Sequence, residues 1–172
     1  TAKMAGLMAA AIVSDTVMFK SPTCTQRDID IANRLARIGN ISLDELGKAI
    51  FSATCGDDKT IEAMLRTDYK EFHIAGHDLA VSQITCMDSD RLLARTDEFL
   101  AAMLAIRTDR KLNTVVLMIT DVLLEGTQLL YVGDEDTIEQ AFNIKGAKNR
   151  AFLPHIMSRK KQVIPTLSAL WG

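Results

Sequence analysis

The sequence predicts an α/β protein in which a mixed β-sheet is flanked by helices and is preceded by a group of helices. Three observations predict this class. Through residues 2–51, apolar side chains recur at helical spacing. From residue 60 onward, short apolar runs alternate with helical patterns, as they do in layered α/β domains. One of these runs, residues 115–120, is typical of a strand covered on both faces.

Residues 2–13 form the first predicted helix, which should be buried on most sides and should pack against material outside this sequence. The pattern stops before Asp15, whose carboxylate would lie at the negative end of the helix dipole at a cost of about 0.3 to 1 kcal/mol. A cation near Asp15 would remove that conflict. Alternatively, Asp15 simply turns the chain with its side chain in water.

Two further helices and a linker are predicted next. Residues 25–38 form a helix that is entered through Thr25 and closed at Gly39. A capping box at 42–45 opens the third helix. The polar stretch 55–59 contains Gly and is the predicted linker, so that residues 1–54 and 60–172 belong to different domains.

The second domain carries the predicted strands. His73 and His77 are four residues apart, but they fall on a predicted hairpin and do not converge there, so they are not expected to form a metal pair. The predicted elements are a helix at 60–66, strands at 70–74 and 79–84, one long helix at 89–110, strands at 115–120 and 127–132, a helix opened by a capping box at 137–140, an extended piece at 151–153, and a terminal helix at 165–171 with Pro165 in its first turn.

Composition limits the classes of function that this protein can have. The 172 residues are 48% hydrophobic and 24% charged with a formal net charge of -2, which excludes a broad basic surface for nucleic acid. Three cysteines without a CxxC pair predict neither a disulfide framework nor a zinc site. The longest apolar run, 5–13, is short of the ~20 residues of a membrane span. We therefore expect a cytoplasmic protein without a membrane partner, and a piece of a longer one, since the chain begins inside a helical pattern.

A basic stretch stands out against this slightly acidic background. From Lys145 to Lys161 the chain carries six Lys or Arg residues and no Asp or Glu. Within it, Arg159 and Lys160 are adjacent, and together they can hold one phosphate by geometry and charge. Prolines bracket residues 155–164 and apolar residues flank the charges, which favours a fixed cationic loop over the alternative of a solvated basic face.

Several segments together resemble the manganese-dependent (family II) inorganic pyrophosphatases of the DHH phosphoesterase superfamily, in the order that family has. The most specific is Ser158-Arg159-Lys160-Lys161-Gln162. The resemblance covers essentially the whole chain. The other matching segments are Ile12-Val13-Ser14-Asp15-Thr16, Phe19-Lys20-Ser21-Pro22-Thr23-Cys24-Thr25, Asp68-Tyr69-Lys70-Glu71-Phe72, Ile119-Thr120-Asp121 and Asn149-Arg150-Ala151-Phe152-Leu153-Pro154.

The resemblance implies a division of labour between two domains. Residues 1–54 would end a metal-binding domain, with Asp15 as its last carboxylate ligand. Residues 60–172 would form the substrate-binding domain, in which Lys70, Arg159 and Lys160 grip pyrophosphate. Ser158, Lys161 and His155 are further implied phosphate contacts. The implied cofactor is Mn²⁺ or Co²⁺, with Mg²⁺ accompanying the substrate, and a homodimer is left open.

Two departures from the family pattern limit the expected activity. The Asp-His-His motif occurs nowhere in the sequence, so most metal ligands are absent and the chain alone is expected to be inactive without its N-terminal domain. His155 stands where the family pattern has Gly. It could add a phosphate contact, or it could merely stiffen the chain.

Two other functions remain open from the sequence. An exopolyphosphatase or another DHH-type phosphoesterase would pair a similar basic domain with the same type of metal site. A phosphate- or nucleotide-binding module would keep the cationic stretch without catalysis.

Overall fold

The structure is a computed structural model that describes residues 1–55 and 59–172, so Gly56, Asp57 and Asp58 of the predicted linker lie outside the described residues. The helices are α1 (Ala2–Asp15), α2 (Gln26–Gly39), α3 (Leu43–Thr54), α4 (Ile61–Thr67), α5 (Asp90–Leu93), α6 (Thr96–Arg110), α7 (Glu135–Phe142) and α8 (Ile164–Trp171). The strands are β1 (Tyr69–Ile74), β2 (His77–Cys86), β3 (Thr114–Asp121), β4 (Gly126–Gly133) and β5 (Arg150–Pro154). A π-helical turn, Arg159–Val163, precedes α8 directly.

The strands form one five-stranded sheet in the order β1-β2-β3-β4-β5. The β2–β3 pair is parallel and the other three pairs are antiparallel, which confirms the predicted mixed sheet. Every residue of β3 is buried, as the apolar run predicted. Helices α4 and α6 pack on one face through Met64, Leu65 and Phe99, while α7 and α8 cover the other through Ile138 and Leu167.

Helices α1, α2 and α3 pack together ahead of the sheet. Ala5, Ala9 and Val13 of α1 are buried, but Leu7 is 67% exposed and Met4 is 56% exposed. The small residues of α1 occupy one stripe that α2 and α3 cover, while its larger apolar side chains are exposed in the described part of the chain. That this exposed face packs against material outside the sequence stays a prediction.

Two sequence predictions about helix boundaries were wrong. Residues 89–110 form two helices, since Arg95 leaves helical geometry and its guanidinium bonds Glu98 at the start of α6. Helix α7 begins earlier than the predicted box at Thr137. Its cap is Asp134, whose carboxylate accepts hydrogen bonds from the N–H and the hydroxyl of Thr137. A short carboxylate such as that of Asp134 caps a helix by accepting a hydrogen bond from the backbone N–H three residues later.

A small apolar cluster joins the helical segment to the sheet. Val13, Val17 and Phe51 pack with Val122, which follows β3, and with Met157, which lies shortly before the π-helical turn. The end of α1 and the start of this turn therefore meet at one cluster. In residues 1–55 and 59–172 we find no helix with the length and apolar character that crossing a membrane requires.

Candidate functional site

The end of the basic stretch lies in a π-helical turn, so the prediction of a loop was wrong for Arg159, Lys160 and Lys161. Ser158 caps it, because its hydroxyl accepts a hydrogen bond from the Lys161 N–H at 3.2 Å and its carbonyl accepts one from Val163 N–H at 3.3 Å. Pro165 lies in the first turn of α8 and has no N–H, so the Lys161 carbonyl lacks an ordinary helical donor there. Single π turns of this kind occur frequently at functional sites.

Two uncharged side chains hold the segment that leads into this turn. The Gln162 amide oxygen accepts hydrogen bonds from the N–H groups of Met157 at 2.8 Å and Ser158 at 3.0 Å. Its amide nitrogen donates to the His155 carbonyl at 2.8 Å. Gln83, from β2, donates to the Met157 carbonyl at 3.2 Å. The backbone ahead of Arg159 is thereby fixed before any ligand arrives.

Arg159 is buried, and its guanidinium is held by the first two strands. Nη1 donates to the carbonyl of Asp68 at 2.6 Å and to the carbonyl of Val81 at 3.1 Å. Nη2 donates to the Asp68 carboxylate at 2.8 Å. Only 8% of the side chain is exposed. A guanidinium has five N–H donors, so three are used internally and two remain.

Lys70 lies on the same face of the sheet as the π-helical turn. It pairs with Val81 in the β1–β2 register, and paired residues project to the same side. Val81 packs with Val163 and Leu167, which places α8 on that side too. Lys70 is exposed at the sheet edge, two residues after Asp68. The structure therefore brings Lys70 and Arg159 to one edge.

The other predicted phosphate contacts lie around the turn. Lys160 and Lys161 are exposed, and Ser158 is half-buried. His155 is exposed, with a φ of +61°, and its N–H donates to the Glu125 carbonyl at 2.8 Å. That left-handed backbone is the conformation glycine adopts at no steric cost, which explains why the family pattern favours Gly there. A phosphate contact by His155 stays a prediction.

Asp15 lies at the exposed end of α1, without a basic residue in the last turn of that helix. It lines an open cavity of about 560 Å³ together with Asp28. Asp28 is committed to capping α2, since its carboxylate accepts from Thr25, and those hydrogen bonds lower its pKa. Among the described residues we find no group of three His, Cys, Asp or Glu side chains that could hold a metal. One carboxylate suits Mn²⁺ chemically but is too few ligands for a site.

The backbone that follows Asp15 is strained. Val17, Met18 and Phe19 all have positive φ, at 50°, 52° and 67°. A left-handed residue costs roughly 1 to 2 kcal/mol when it carries a side chain. The buried Thr16 offsets part of this cost, because its hydroxyl donates to the Ile12 carbonyl at 2.7 Å and accepts from Phe19 N–H at 3.2 Å. Asp15 is thus held by a fixed turn.

A second polar cluster occupies the opposite face of β1. A cavity of about 280 Å³ there is lined by Tyr69, Glu71 and Arg110, among others. Arg110 binds Glu71 through two hydrogen bonds, of 2.9 and 3.2 Å, and lowers its pKa. Because residues alternate in direction along a strand, this cluster lies away from Lys70.

Sequence reasoning assigned no part to Asp68, Gln83 or Gln162. Asp68 and Gln162 stand inside the matching segments, so each was visible as a neighbour of a predicted cation. Gln83 offered a different signal, since it is a polar residue in an otherwise buried strand. Asp68 and Gln83 bind groups that lie 91 and 74 residues away along the chain, which a local sequence pattern does not record.

Comparison with known proteins decides the family. The model of the DHHA2 domain matches residues 48–170. The chain belongs to the DHHA2 domain family. The match begins within α3, so α1 and α2 lie ahead of the matched domain.

Relatives of this DHHA2 protein match almost the whole chain. A protein of Enterococcus faecalis that is named as a manganese-dependent inorganic pyrophosphatase is 44% identical over 99% of the chain, and one of Clostridium acetobutylicum with the same name is 38% identical over 97%. A Methanococcus jannaschii protein, described as a family II inorganic pyrophosphatase, has a crystal structure that matches 99% of the chain with a TM-score of 0.89 and 34% identity. The chain spans 54 to 56% of these relatives' length.

Proposed function

We propose that this chain forms the C-terminal part of a metal-dependent inorganic pyrophosphatase that hydrolyses pyrophosphate to two phosphates. The observation that carries the proposal is Arg159, held in place at the sheet edge where Lys70 also lies. The names of the relatives support pyrophosphate as the substrate and manganese as the metal. Pyrophosphate is a compact, highly charged anion, which fixed cations can bind without reorganising.

The proposed parts of the site are divided between two domains. Residues 60–172 supply Lys70, Arg159 and Lys160, which neutralise phosphate oxygens and the leaving phosphate. Ser158, Lys161 and His155 are further proposed contacts around the π-helical turn. Residues 1–54 end the metal-binding domain, whose remaining part lies outside this chain. Stretch 55–59 is the proposed linker between them.

Asp15 is proposed as one carboxylate ligand of the metal cluster. A divalent ion such as Mn²⁺ supplies Lewis acidity and an activated water in hydrolyses of this kind. Since the described residues provide one such carboxylate and no complete site, we propose that the chain alone does not turn over pyrophosphate. Mg²⁺ would accompany the substrate. We infer a cytoplasmic location, which the three free cysteines support.

The test measures phosphate release by the full-length protein with Mn²⁺ and Mg²⁺. Arg159→Ala and Lys160→Ala should each raise KM for pyrophosphate and lower turnover, because each removes a charge-assisted contact of roughly 1.5 to 3 kcal/mol. Lys145→Ala is the matched control, since Lys145 is an exposed cation of the same basic stretch. Near-unchanged kinetics in the first two variants would refute the proposal. Preferred hydrolysis of long polyphosphate would favour an exopolyphosphatase instead.

A further inference from the structure

We propose that Asp68 is a positioning residue that aims Arg159 at a phosphate group. This inference rests on the proposed function, since it takes Arg159 as a pyrophosphate contact. Asp68 stands in a segment that matches the pyrophosphatase pattern. Its negative charge does not suit a direct contact with phosphate, and the sequence alone gave it no function. Its carboxylate and its carbonyl both bind the same guanidinium, at 2.8 and 2.6 Å.

The direction of these hydrogen bonds decides which donors stay available. Asp68 occupies the end of the guanidinium, because it takes one N–H from Nη1 and one from Nη2. Val81 takes a second Nη1 hydrogen bond. The donors that remain are Nε–H and the second N–H of Nη2. In the planar guanidinium these two are parallel and lie along one side, which is the fork that binds two oxygens of a phosphate.

Burial makes this orientation persistent. An exposed arginine samples many rotamers, and ordering it on binding costs free energy. Arg159 is 8% exposed on its side chain, whereas the Asp68 side chain is 45% exposed. Asp68 therefore reaches the guanidinium from the solvent side, and its negative charge balances a cation that would otherwise be buried without a partner.

The carboxylate adds a contact that the backbone alone cannot supply. The carbonyls of Asp68 and Val81 both bind Nη1, so without the carboxylate both N–H groups of Nη2 would be free and the phosphate could bind them in a different orientation. Asp68→Ala should therefore leave Arg159 attached but poorly aimed. Asp68→Asn keeps an oxygen acceptor without the charge, so its effect should be smaller.

The test is a double-mutant cycle in the full-length protein. Asp68→Ala should lower kcat/KM for pyrophosphate by about 10- to 100-fold, mainly through KM, as expected for a lost charge-assisted alignment. In an Arg159→Ala background the same substitution should have almost no further effect, because Asp68 acts through Arg159. A merely structural part for Asp68 would instead give effects that multiply in the double variant.

Glu71→Ala is the matched control, since Glu71 also holds an arginine through its carboxylate but on the opposite face of β1. It should leave KM unchanged. If Asp68→Ala does not fold, Asp68→Asn takes its place in the cycle, with circular dichroism confirming the fold of each variant.

The outcomes separate this inference from the proposed function. If the wild type hydrolyses pyrophosphate and Arg159→Ala impairs it, while Asp68 variants keep the wild-type KM, the inference about Asp68 is overturned and the proposed function stands. Multiplying effects in the double variant overturn it as well. If the wild type does not hydrolyse pyrophosphate, both fail together.

Discussion

Lys20 is bound to Glu125 across the junction between the helical segment and the sheet. The Lys20 ammonium lies 3.0 Å from Glu125 Oε1 and donates to the Val122 carbonyl at 2.8 Å. This ion pair lowers the pKa of the Glu125 carboxyl, chiefly through the hydrogen bond from Lys20. The Lys20 contacts are the polar part of the junction between the helical segment and the sheet. Its apolar part is the cluster of Val13, Val17, Phe51, Val122 and Met157.

Lys20→Met should lower the free energy of unfolding by about 1 kcal/mol, because the Val122 carbonyl loses its charged donor. Chemical denaturation monitored by circular dichroism measures it. Glu125→Gln is the control, since it removes the ion pair and keeps the bond to Val122. Its effect should be smaller and should fade at high salt. An unchanged unfolding midpoint in Lys20→Met would show that the junction depends on apolar contacts alone.

Gln162→Ala should destabilise the segment ahead of the π-helical turn. It leaves the N–H groups of Met157 and Ser158 and the His155 carbonyl without their side-chain partner, at a cost of about 1 to 3 kcal/mol. Thermal unfolding measures the loss. Gln140→Ala, at an exposed position of α7, should change the midpoint little. Equal midpoints for the two variants would contradict the holding function of Gln162.

His155→Gly should keep or raise the free energy of unfolding, by up to about 1 kcal/mol, because glycine adopts a φ of +61° without a steric penalty. His155→Val should lower it, since a β-branched residue fits that backbone poorly. The two variants are compared by chemical denaturation. Pyrophosphate affinity in the Gly variant then tests the proposed phosphate contact, and an unchanged affinity would remove His155 from the site.

The two tyrosines should titrate together at unusually high pH. Desolvation and a hydrogen bond to Glu71 raise the pKa of Tyr69 to about 12, and desolvation and Glu139 do the same for Tyr131. The absorbance of tyrosinate near 295 nm should therefore rise near pH 12 in the native protein, and near the ordinary ~10 in denaturant. Tyr131→Phe leaves Tyr69 alone as a control. A native step near 10 would contradict both shifts.

The sign of the stability change follows from the same shifts. The folded protein holds both phenol protons more tightly than the unfolded chain does. Stability that is present below the unfolded pKa of ~10 is therefore lost as pH rises toward the folded pKa of about 12. Denaturation midpoints measured across this range should fall with pH.

Local sequence patterns predicted most of the elements. Thr25 and Ser42 cap α2 and α3 as predicted, and the apolar run of β3 marked the strand buried on both faces. These predictions succeed because a cap or a strand depends on neighbours within a few residues. The break at Arg95 was missed, because the helical period continues across it in the sequence.

The sequence by itself determined the α/β class, the position of the cationic stretch and its likeness to the pyrophosphatases. Only the tertiary structure decided which way the charges point. Arg159 binds Asp68, 91 residues away along the chain, and strand register alone puts Lys70 on the face that carries the π-helical turn. A one-dimensional pattern records which charges are present, but the direction of a side chain is set by the distant groups that bury it.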